Sequence, residues 1–482
     1  MSQTLATLEE TLAENAMLRQ EVARLEGQVA RLEGQVARLE GLVARLEARL
    51  NQNSQNSSKP PSSDPPGVKL PPKRMPSGRN PGGQPGHKGN RRDLLPTENV
   101  DDVEHHWPVA CEKCGTSLPR QGRTEVGEPK RHQVVEIPTS QAHVTEHQMH
   151  TQCCEACGHA TPADLPDGVP SGAFGPRLQA VIALFTGAYR VSKRVTELAL
   201  SDLFGVKLSL GSVSASEQTM SAALAAPVGE ARTYVQQQAV VHADETGWRE
   251  ERRRAWLWIA GTSFVTVFLV HAKRGAEAAR SLLGTFKGIL VTDRWSAYNG
   301  WTLDKRQLCW AHLLRDFTFI SQSKGTAGDV GKALVRLTHR LFRKWYRVRD
   351  GTMTRAAFKR SAARLRVDVE HLLKQGVSCH APKVAGMCAE ILKMEAAMWT
   401  FATVEGVDPT NNFAERNLRA AVLWRKGTFG IHSAEGSRFV ERMMTVVASL
   451  RLQHRNVFDY LVQASEAHLH RQAPPSLLPI PA

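Results

Sequence analysis

Cysteine, aromatic residues and acidic residues are all scarce in this sequence, and long apolar runs are missing. Eight cysteines in 482 residues are too few for a disulfide-stapled secreted scaffold. The longest apolar stretch, Ala255 to Val270, is broken by Gly261, Thr262, Ser263 and Thr266. It falls short of the roughly 20 residues a membrane span needs. The opening MSQTLATLEETLAEN is acidic and amphipathic, with no signal-peptide core. These absences predict a protein of a reducing, cytoplasmic compartment with no membrane segment. Acidic residues number 47 against 62 Lys and Arg, for a net charge of +15, which points toward nucleic acid or another anionic surface. Hydrophobic residues at 41% exclude a wholly disordered chain. The length predicts about three or four domains.

What is present begins with a seven-residue repeat. Val22, Val29, Val36 and Val43 alternate with Leu25, Leu32, Leu39 and Leu46, the 3,4 spacing of a coiled-coil seam. β-branched residues at one seam position with Leu at the other favour a parallel dimer, and Asn15 falls on the same seam one heptad before Val22. Gly27, Gly34 and Gly41 take the outermost position, each costing about 1 kcal/mol of helix propensity. A lone amphipathic helix docked on the body would show the same stripe, but the narrow, sustained seam favours pairing. Residues 51–96 then hold 10 of the 25 prolines and several basic residues. They read as a disordered linker with too little apolar surface to order, either a solvated tether or a strand of charge lying along phosphates.

Cys111-x-x-Cys114-Gly and Cys154-x-x-Cys157-Gly form two knuckles with 39 residues between them. Two such pairs offer four thiolates to one zinc ion, a closed structural site. The stretches HQVVEIP and AHVTEHQMH between them read as the strands of a zinc ribbon. Beyond, Leu178, Val181, Ile182, Leu184 and Phe185 make a helical stripe. A helix ending near Phe204 is followed by the stop Gly205 and by Ser209 or Ser212 as caps of a second helix. That pattern resembles a DNA-binding helix-turn-helix, though a plain helical hairpin fits it as well.

From about residue 237 the periodicity turns to strands. QQQAVVHADETGWR, RAWLWIAGT and FVTVFLVHA are strand-like, AEAARSLLG is helical, and the buried strand Ile289–Thr292 ends at Asp293. Three antiparallel strands, a helix and a further strand describe a ribonuclease-H-like core, with carboxylates on its first strand (Asp244) and at the end of its fourth (Asp293). A third carboxylate is expected from a later helix. DPTNNFAERNLRAAVLWRK supplies it: Pro409 and Asn411 make a helix start and Glu415 lies one turn inside. Three carboxylates can hold two divalent ions about 3.5–4 Å apart, and magnesium suits such oxygen ligands. Strand alternation turns Glu245 to the face opposite Asp244. Cys309, His312 and Asp316 offer a second metal cluster as an alternative, His312 and Asp316 sharing a helix face, but the favoured reading puts Cys309 in the core and His312 and Arg315 at the site. Trp248, Trp295 and Tyr298 are read as core, with stacking on an unpaired base as the alternative.

These pieces carry a resemblance. The coil, NSSKPPSSD, PGGQPGHKG, the paired C-x-x-CG knuckles, HADETGWR, TDRWSAYNGW, CWAHLLRDF and TNNFAERNLR resemble the transposases of the insertion-sequence 66 family over nearly the whole chain. The resemblance implies a DDE-type recombinase that binds the terminal inverted repeats of its own mobile element and cuts and joins double-stranded DNA. It implies a catalytic triad of Asp244, Asp293 and Glu415 holding magnesium or manganese. His312 and Arg315 would contact the scissile phosphate or shape the site. It also implies a bacterial, cytoplasmic and nucleoid-associated protein, and members of that family often work with small accessory proteins of the same element. Between residues 332 and 366 the chain carries 12 Lys and Arg against one acid, Asp350. Arg343, Lys344, Arg347, Lys359 and Arg360, with Arg419, are the candidate phosphate contacts.

The expected architecture is multidomain α+β. A coiled coil spans 1–50, a basic linker 51–100, a zinc-binding ribbon 101–170 and a helix-turn-helix-like module 171–235. A ribonuclease-H-like α/β catalytic core spans 236–430, with a helical insertion at about 325–400, and C-terminal helices and a disordered tail span 431–482. Two other functions fit the same residues: a catalytically inactive DNA-binding regulator, and a metal-dependent nuclease that cuts without joining.

Overall fold

The computed structural model describes residues 2–50, 52, 53, 56, 86, 87, 92–122, 125–138, 141–428 and 431–479; most of the expected linker lies outside them. The chain divides into two units, one of residues 67–143 and one combining 1–66 with 144–482. The smaller unit is built on short turns and the bridge Ala110–Ser117. Its expected strand around HQVVEIP does not form. Val134, Val135 and Ile137 stay exposed, and the segment pairs with no ladder among the described residues, so its β-branched residues have nothing to pack on.

In the larger unit α1 runs unbroken over Ser2–Leu50. Its seam from Val22 to Leu46 remains 46–60% exposed, so no other described part of the chain buries it. The hairpin β1 (Thr151–Cys153) and β2 (Ala160–Pro162) carries the second knuckle. Helices α2 (Pro176–Ala183), α3 (Lys193–Phe204), α4 (Leu210–Ala223) and α5 (Ala225–Gln236) follow. Gly205 ends α3 in the left-handed region at φ 67°, and Ser209 caps α4 by accepting from the Ser212 amide, both as the sequence indicates. Ala180, Ala183, Met220, Leu224, Ala231 and Val235 from α2, α4 and α5 join the same core as the central sheet.

That sheet consists of β3 (Val240–Glu250), β4 (Arg253–Gly261), β5 (Thr266–His271), β6 (Ile289–Thr292) and β7 (Arg306–Leu308), with α6 (Ala276–Leu283) crossing between β5 and β6. The order is β5-β4-β3-β6-β7. β3, β4 and β5 are antiparallel neighbours, whereas β6 and β7 run parallel to β3. All four residues of β6 are buried, as a strand covered on both faces requires. β7 was not expected: three residues carry no readable period.

Helices α7 (Trp310–Ser321), α8 (Gly325–Arg349), α9 (Arg355–Val377) and α10 (Pro382–Lys393), with the short α11 (Thr400–Thr403), build a second core with Val291 and Leu308. Then α12 (Asn412–Thr428), α13 (Ala434–Leu452) and α14 (Val457–Leu469) return to the first. The tail, expected to be disordered, is packed as far as it is described. Leu477 is fully buried, and Tyr460 and Arg455 donate to the carbonyls of Pro475, Ser476 and Leu478. No helix among the described residues is long and apolar enough to cross a membrane.

Helix α13 solves the edge of the sheet. The outward amides of Thr266 and Phe268 donate to Ser449 Oγ (3.0 Å) and Thr445 Oγ1 (3.1 Å), and that of Val270 donates to Glu441. A step of four helical residues is about 6.0 Å and a step of two strand residues about 6.8 Å, so the two rows stay in register. An edge strand is thereby denied to other chains. Burial pushes the Glu441 carboxyl up to about 7, against the pull of Arg438, Arg442 and the Val270 amide, with Glu250 adding to the rise. The folded state therefore holds this proton more tightly than the unfolded chain does. Stability is full below the ordinary carboxyl range and falls as pH rises toward 7 and beyond. Glu441→Gln keeps the acceptor and removes the charge. In urea unfolding it is expected to flatten this pH dependence and to stabilise the protein at pH 8 by about 1–3 kcal/mol; equal pH profiles for the two proteins would contradict the assignment.

Candidate active site

The three candidate carboxylates come from three elements. Asp244 lies on β3 where the parallel partner ends: the last β3–β6 pair is His242 with Val291, and two further steps bring Asp244 beside Asp293. Glu415 sits in the first turn of α12. The carboxyl of Asp244 is pushed well up, first by burial and then by Glu245 and Asp293, with Glu415 adding to the rise. Asp293 and Glu415 therefore both lie within electrostatic reach of Asp244, and neither Asp244 nor Asp293 forms an ion pair among the described residues. Asp293 is oriented by the Trp295 amide, which donates to its Oδ1 at 2.9 Å. Behind it lies Arg306, 1% exposed, donating to the Asp293 carbonyl at 3.2 Å.

Asn411, fully buried, sets α12 against β3. The Ala243 carbonyl can only accept, so it takes the carboxamide NH2 at 2.8 Å. The carboxamide oxygen therefore faces His242 Nδ1 at 3.0 Å, and the imidazole donates from that nitrogen. Burial lowers the His242 pKa, which keeps the ring neutral. The Asn411 amide donates to Cys309 Sγ at 3.1 Å, and the Trp310 amide to the Pro409 carbonyl at 2.9 Å. One side chain thus ties the start of α12 to the strand carrying Asp244, while its backbone ties it to the start of α7.

Helix α7 brings His312, Arg315 and Asp316 to the same place. His312 Nδ1 is 3.6 Å and Arg315 Nη2 4.0 Å from the Glu415 carboxylate. His312 Nδ1 and Glu415 Oε1 are both buried without a hydrogen bond among the described residues. Ligand atoms of Cys309, His312 and Glu415 lie within 4.8 Å of one another. This corrects the expected Cys309–His312–Asp316 cluster, because Asp316 is held instead by Arg294 at 2.7 and 3.0 Å. Cys309 is buried, and its thiol is pushed up to about 12 by burial. Glu245, on the far face of β3 as alternation requires, accepts from Tyr298 at 2.8 Å and from Arg274 at 3.0 Å. Trp248 and Tyr298 are core residues. Trp295 is partly buried, with the Arg274 guanidinium 4.1 Å from its ring centroid.

The remaining candidates are spread wider. Arg343, Lys344 and Arg347 lie on α8 and Lys359 and Arg360 on α9, all exposed except the half-buried Lys344. Lys332, Arg336, Arg340, Arg343 and Arg347 recur every three or four residues on exposed positions of α8, a single stripe. Arg419 is exposed one turn beyond Glu415. Each cysteine knuckle is a tight turn: Gly115 and Gly158 take φ of 71° and 69° and donate to the carbonyls of Cys111 and Cys154. The Thr116 hydroxyl lowers the Cys114 pKa, and the amides of Cys157 and Ala156 lower that of Cys154. Cys114, Cys154 and Cys157 are exposed and Cys111 half-buried. The two knuckles fall in different units.

The Asn411 joint is invisible to motif reading except as a helix start. Its removal leaves a buried carbonyl and a buried imidazole unpaired. Asn411→Ala is expected to destabilise the protein by about 2–4 kcal/mol in urea unfolding; a loss below about 0.5 kcal/mol would contradict the joint.

Residues 171–438, over half of the chain, match the model of the Transposase IS66 family, and residues 3–93 match a family of unknown function. No curated protein matches the chain. The matched span takes in α2 to α12, the five-stranded sheet and all three candidate carboxylates, and on that match the chain belongs to the Transposase IS66 family.

Proposed function

We propose that Asp244, Asp293 and Glu415 form the metal-binding triad of a ribonuclease-H-like core that cleaves DNA strands at the ends of its own element and joins them to target DNA. The observation that carries this reading is the convergence of Asp293 and Glu415 on a buried Asp244, whose carboxyl is pushed up by that burial and then by its acidic neighbours, together with a buried Glu415 Oε1 that makes no hydrogen bond among the described residues. Divalent cations such as magnesium or manganese would relieve both, so the donor set fits them. Bound there, such ions supply a more nucleophilic hydroxyl and stabilise the departing oxygen. The rest falls to the chain. Asn411 fixes the approach of Glu415 to β3, and Arg306 and the Trp295 amide hold Asp293. Arg315 and His312 stand beside Glu415, placed to neutralise a phosphate brought to it. The strand order, three antiparallel strands followed by two parallel ones, supports the ribonuclease-H-like reading.

The exposed stripe of α8, with Lys359 and Arg360, is a surface for DNA phosphates. The uncovered seam of α1 supports pairing of two chains, which suits a reaction on two DNA ends. The cysteine knuckles, with thiol pKa values already lowered at Cys114 and Cys154, are suited to zinc.

In a strand-transfer assay on DNA carrying the element's ends, Asp244→Asn, Asp293→Asn and Glu415→Gln are each expected to abolish cleavage and joining while leaving DNA binding intact. Cleavage retained by any one removes that residue from the triad. Wild-type binding without cleavage would favour a regulator, and cleavage without joining a nuclease. For the knuckles, the purified chain is expected to carry zinc by elemental analysis, in an amount reduced by Cys114→Ser and by Cys157→Ser. Unchanged zinc in either would remove that cysteine from the ligands.

A further inference from the structure

The β3–β4 ribbon outruns the sheet. Partners to β3 from β6 stop at His242, and partners to β4 from β5 stop at Trp256. The last pairs, Trp248–Ala255, Arg249–Arg254 and Glu250–Arg253, therefore project beyond both flanking strands. The projection starts from the end of β3 that carries Asp244. Five strand residues separate Asp244 from Arg249, about 17 Å.

The tip breaks two local rules at once. Its two turn residues, Glu251 and Arg252, take φ of 48° and 65°, the left-handed conformation that Asn-Gly would adopt at lower cost. Arg249 and Arg254 stand directly opposite each other, a like-charged cross-strand pair. Arg249, Arg252, Arg253 and Arg254 are all exposed, and none forms an ion pair among the described residues. The Arg254 guanidinium lies 4.8 Å from the Trp256 ring centroid. Arg425, donating to the Gly247 carbonyl from below, brings a further cation, and burial and Arg249 both lower its pKa. The ribbon is nonetheless held firmly. Ile431 exchanges backbone hydrogen bonds with it, the Glu251 amide donating at 2.8 Å and the Arg249 carbonyl accepting at 3.0 Å. A firmly held element that keeps unfavourable residues at its tip is a place to look for function.

We infer that this arginine tip is a second contact for duplex DNA, gripping backbone phosphates about five nucleotides from the phosphate at the carboxylates. The inference rests on the DNA-cleaving reading above. Phosphates along one strand advance about 3.4 Å each along the helix axis, so a duplex seated at Asp244 and running along the ribbon reaches the tip at about that distance. The charge, the reach and the anchoring all suit a polyanion of fixed geometry.

The test is fluorescence anisotropy of the full chain with a labelled random-sequence duplex of about 40 base pairs, over about 50–300 mM KCl. Arg252→Gln with Arg253→Gln is expected to weaken binding about 10-fold at the middle of that range and to flatten the salt slope by about 1–2. A second variant, Glu251→Asn with Arg252→Gly, relaxes the turn. It is expected to raise the melting temperature and still weaken binding, which separates lost contact from lost fold. Wild-type binding that is unchanged in both variants overturns the inference alone. A wild-type chain that fails to bind duplex DNA overturns both the inference and the reading it rests on.

Discussion

A buried carboxamide holds the site together. Asn411 has only one orientation in which the Ala243 carbonyl and the His242 imidazole are both satisfied, and that orientation fixes where α12 begins. Because Glu415 lies one turn further on, its distance from Asp244 depends on Asn411. The Asn411 amide on Cys309 fixes the start of α7 in the same way, and with it His312 and Arg315. Sequence positions more than 160 residues apart are thus placed by hydrogen bonds that cannot be exchanged for water, since the site around Asn411 is fully buried.

The electrostatics of the site follow from this packing. Four carboxylates, counting Glu245, converge where β6 ends beside β3. The fold pairs Glu245 closely with the Arg274 guanidinium and the Tyr298 hydroxyl on the opposite face, and Glu415 more loosely with His312 and Arg315. Asp316 is likewise paired with Arg294. On the Asp244 side, Asp244 and Asp293 form no ion pair among the described residues, and Glu415 meets His312 and Arg315 at 3.6 and 4.0 Å. A purely structural cluster would pair its acids as Glu245 and Asp316 are paired. The two faces of one strand therefore differ: Glu245 is paired on its side, and Asp244 is the acid that the proposed triad uses on the other.

Much of this was legible in the sequence where a local rule was strong. The heptads of α1, the apolar runs of β3 to β6, the Gly205 stop and the Ser209 cap each follow from a period or a single residue's preference. The candidate carboxylates were read from strand ends and a helix start, and the structure sets Asp293 and Glu415 within electrostatic reach of Asp244. Elements governed by distant contacts were not legible. β7 is too short to show a period, and the tail is ordered by Tyr460, Arg455 and a pocket for Leu477 that no local pattern announces. Thr445 and Ser449 look like ordinary helix positions until β5 is laid beside them. Asp316 shares a helix face with His312 and was the third member of the metal cluster that the local spacing offered as an alternative. The structure supplies Glu415 instead, because α12 arrives from a hundred residues away.

The most direct test of the central claim is where a divalent ion goes. Crystals of the full chain soaked in manganese should give an anomalous peak bounded by Asp244 and Asp293, with Glu415 at its edge. Manganese found only at Cys309, His312 and Glu415, or at none of these residues, would contradict the account.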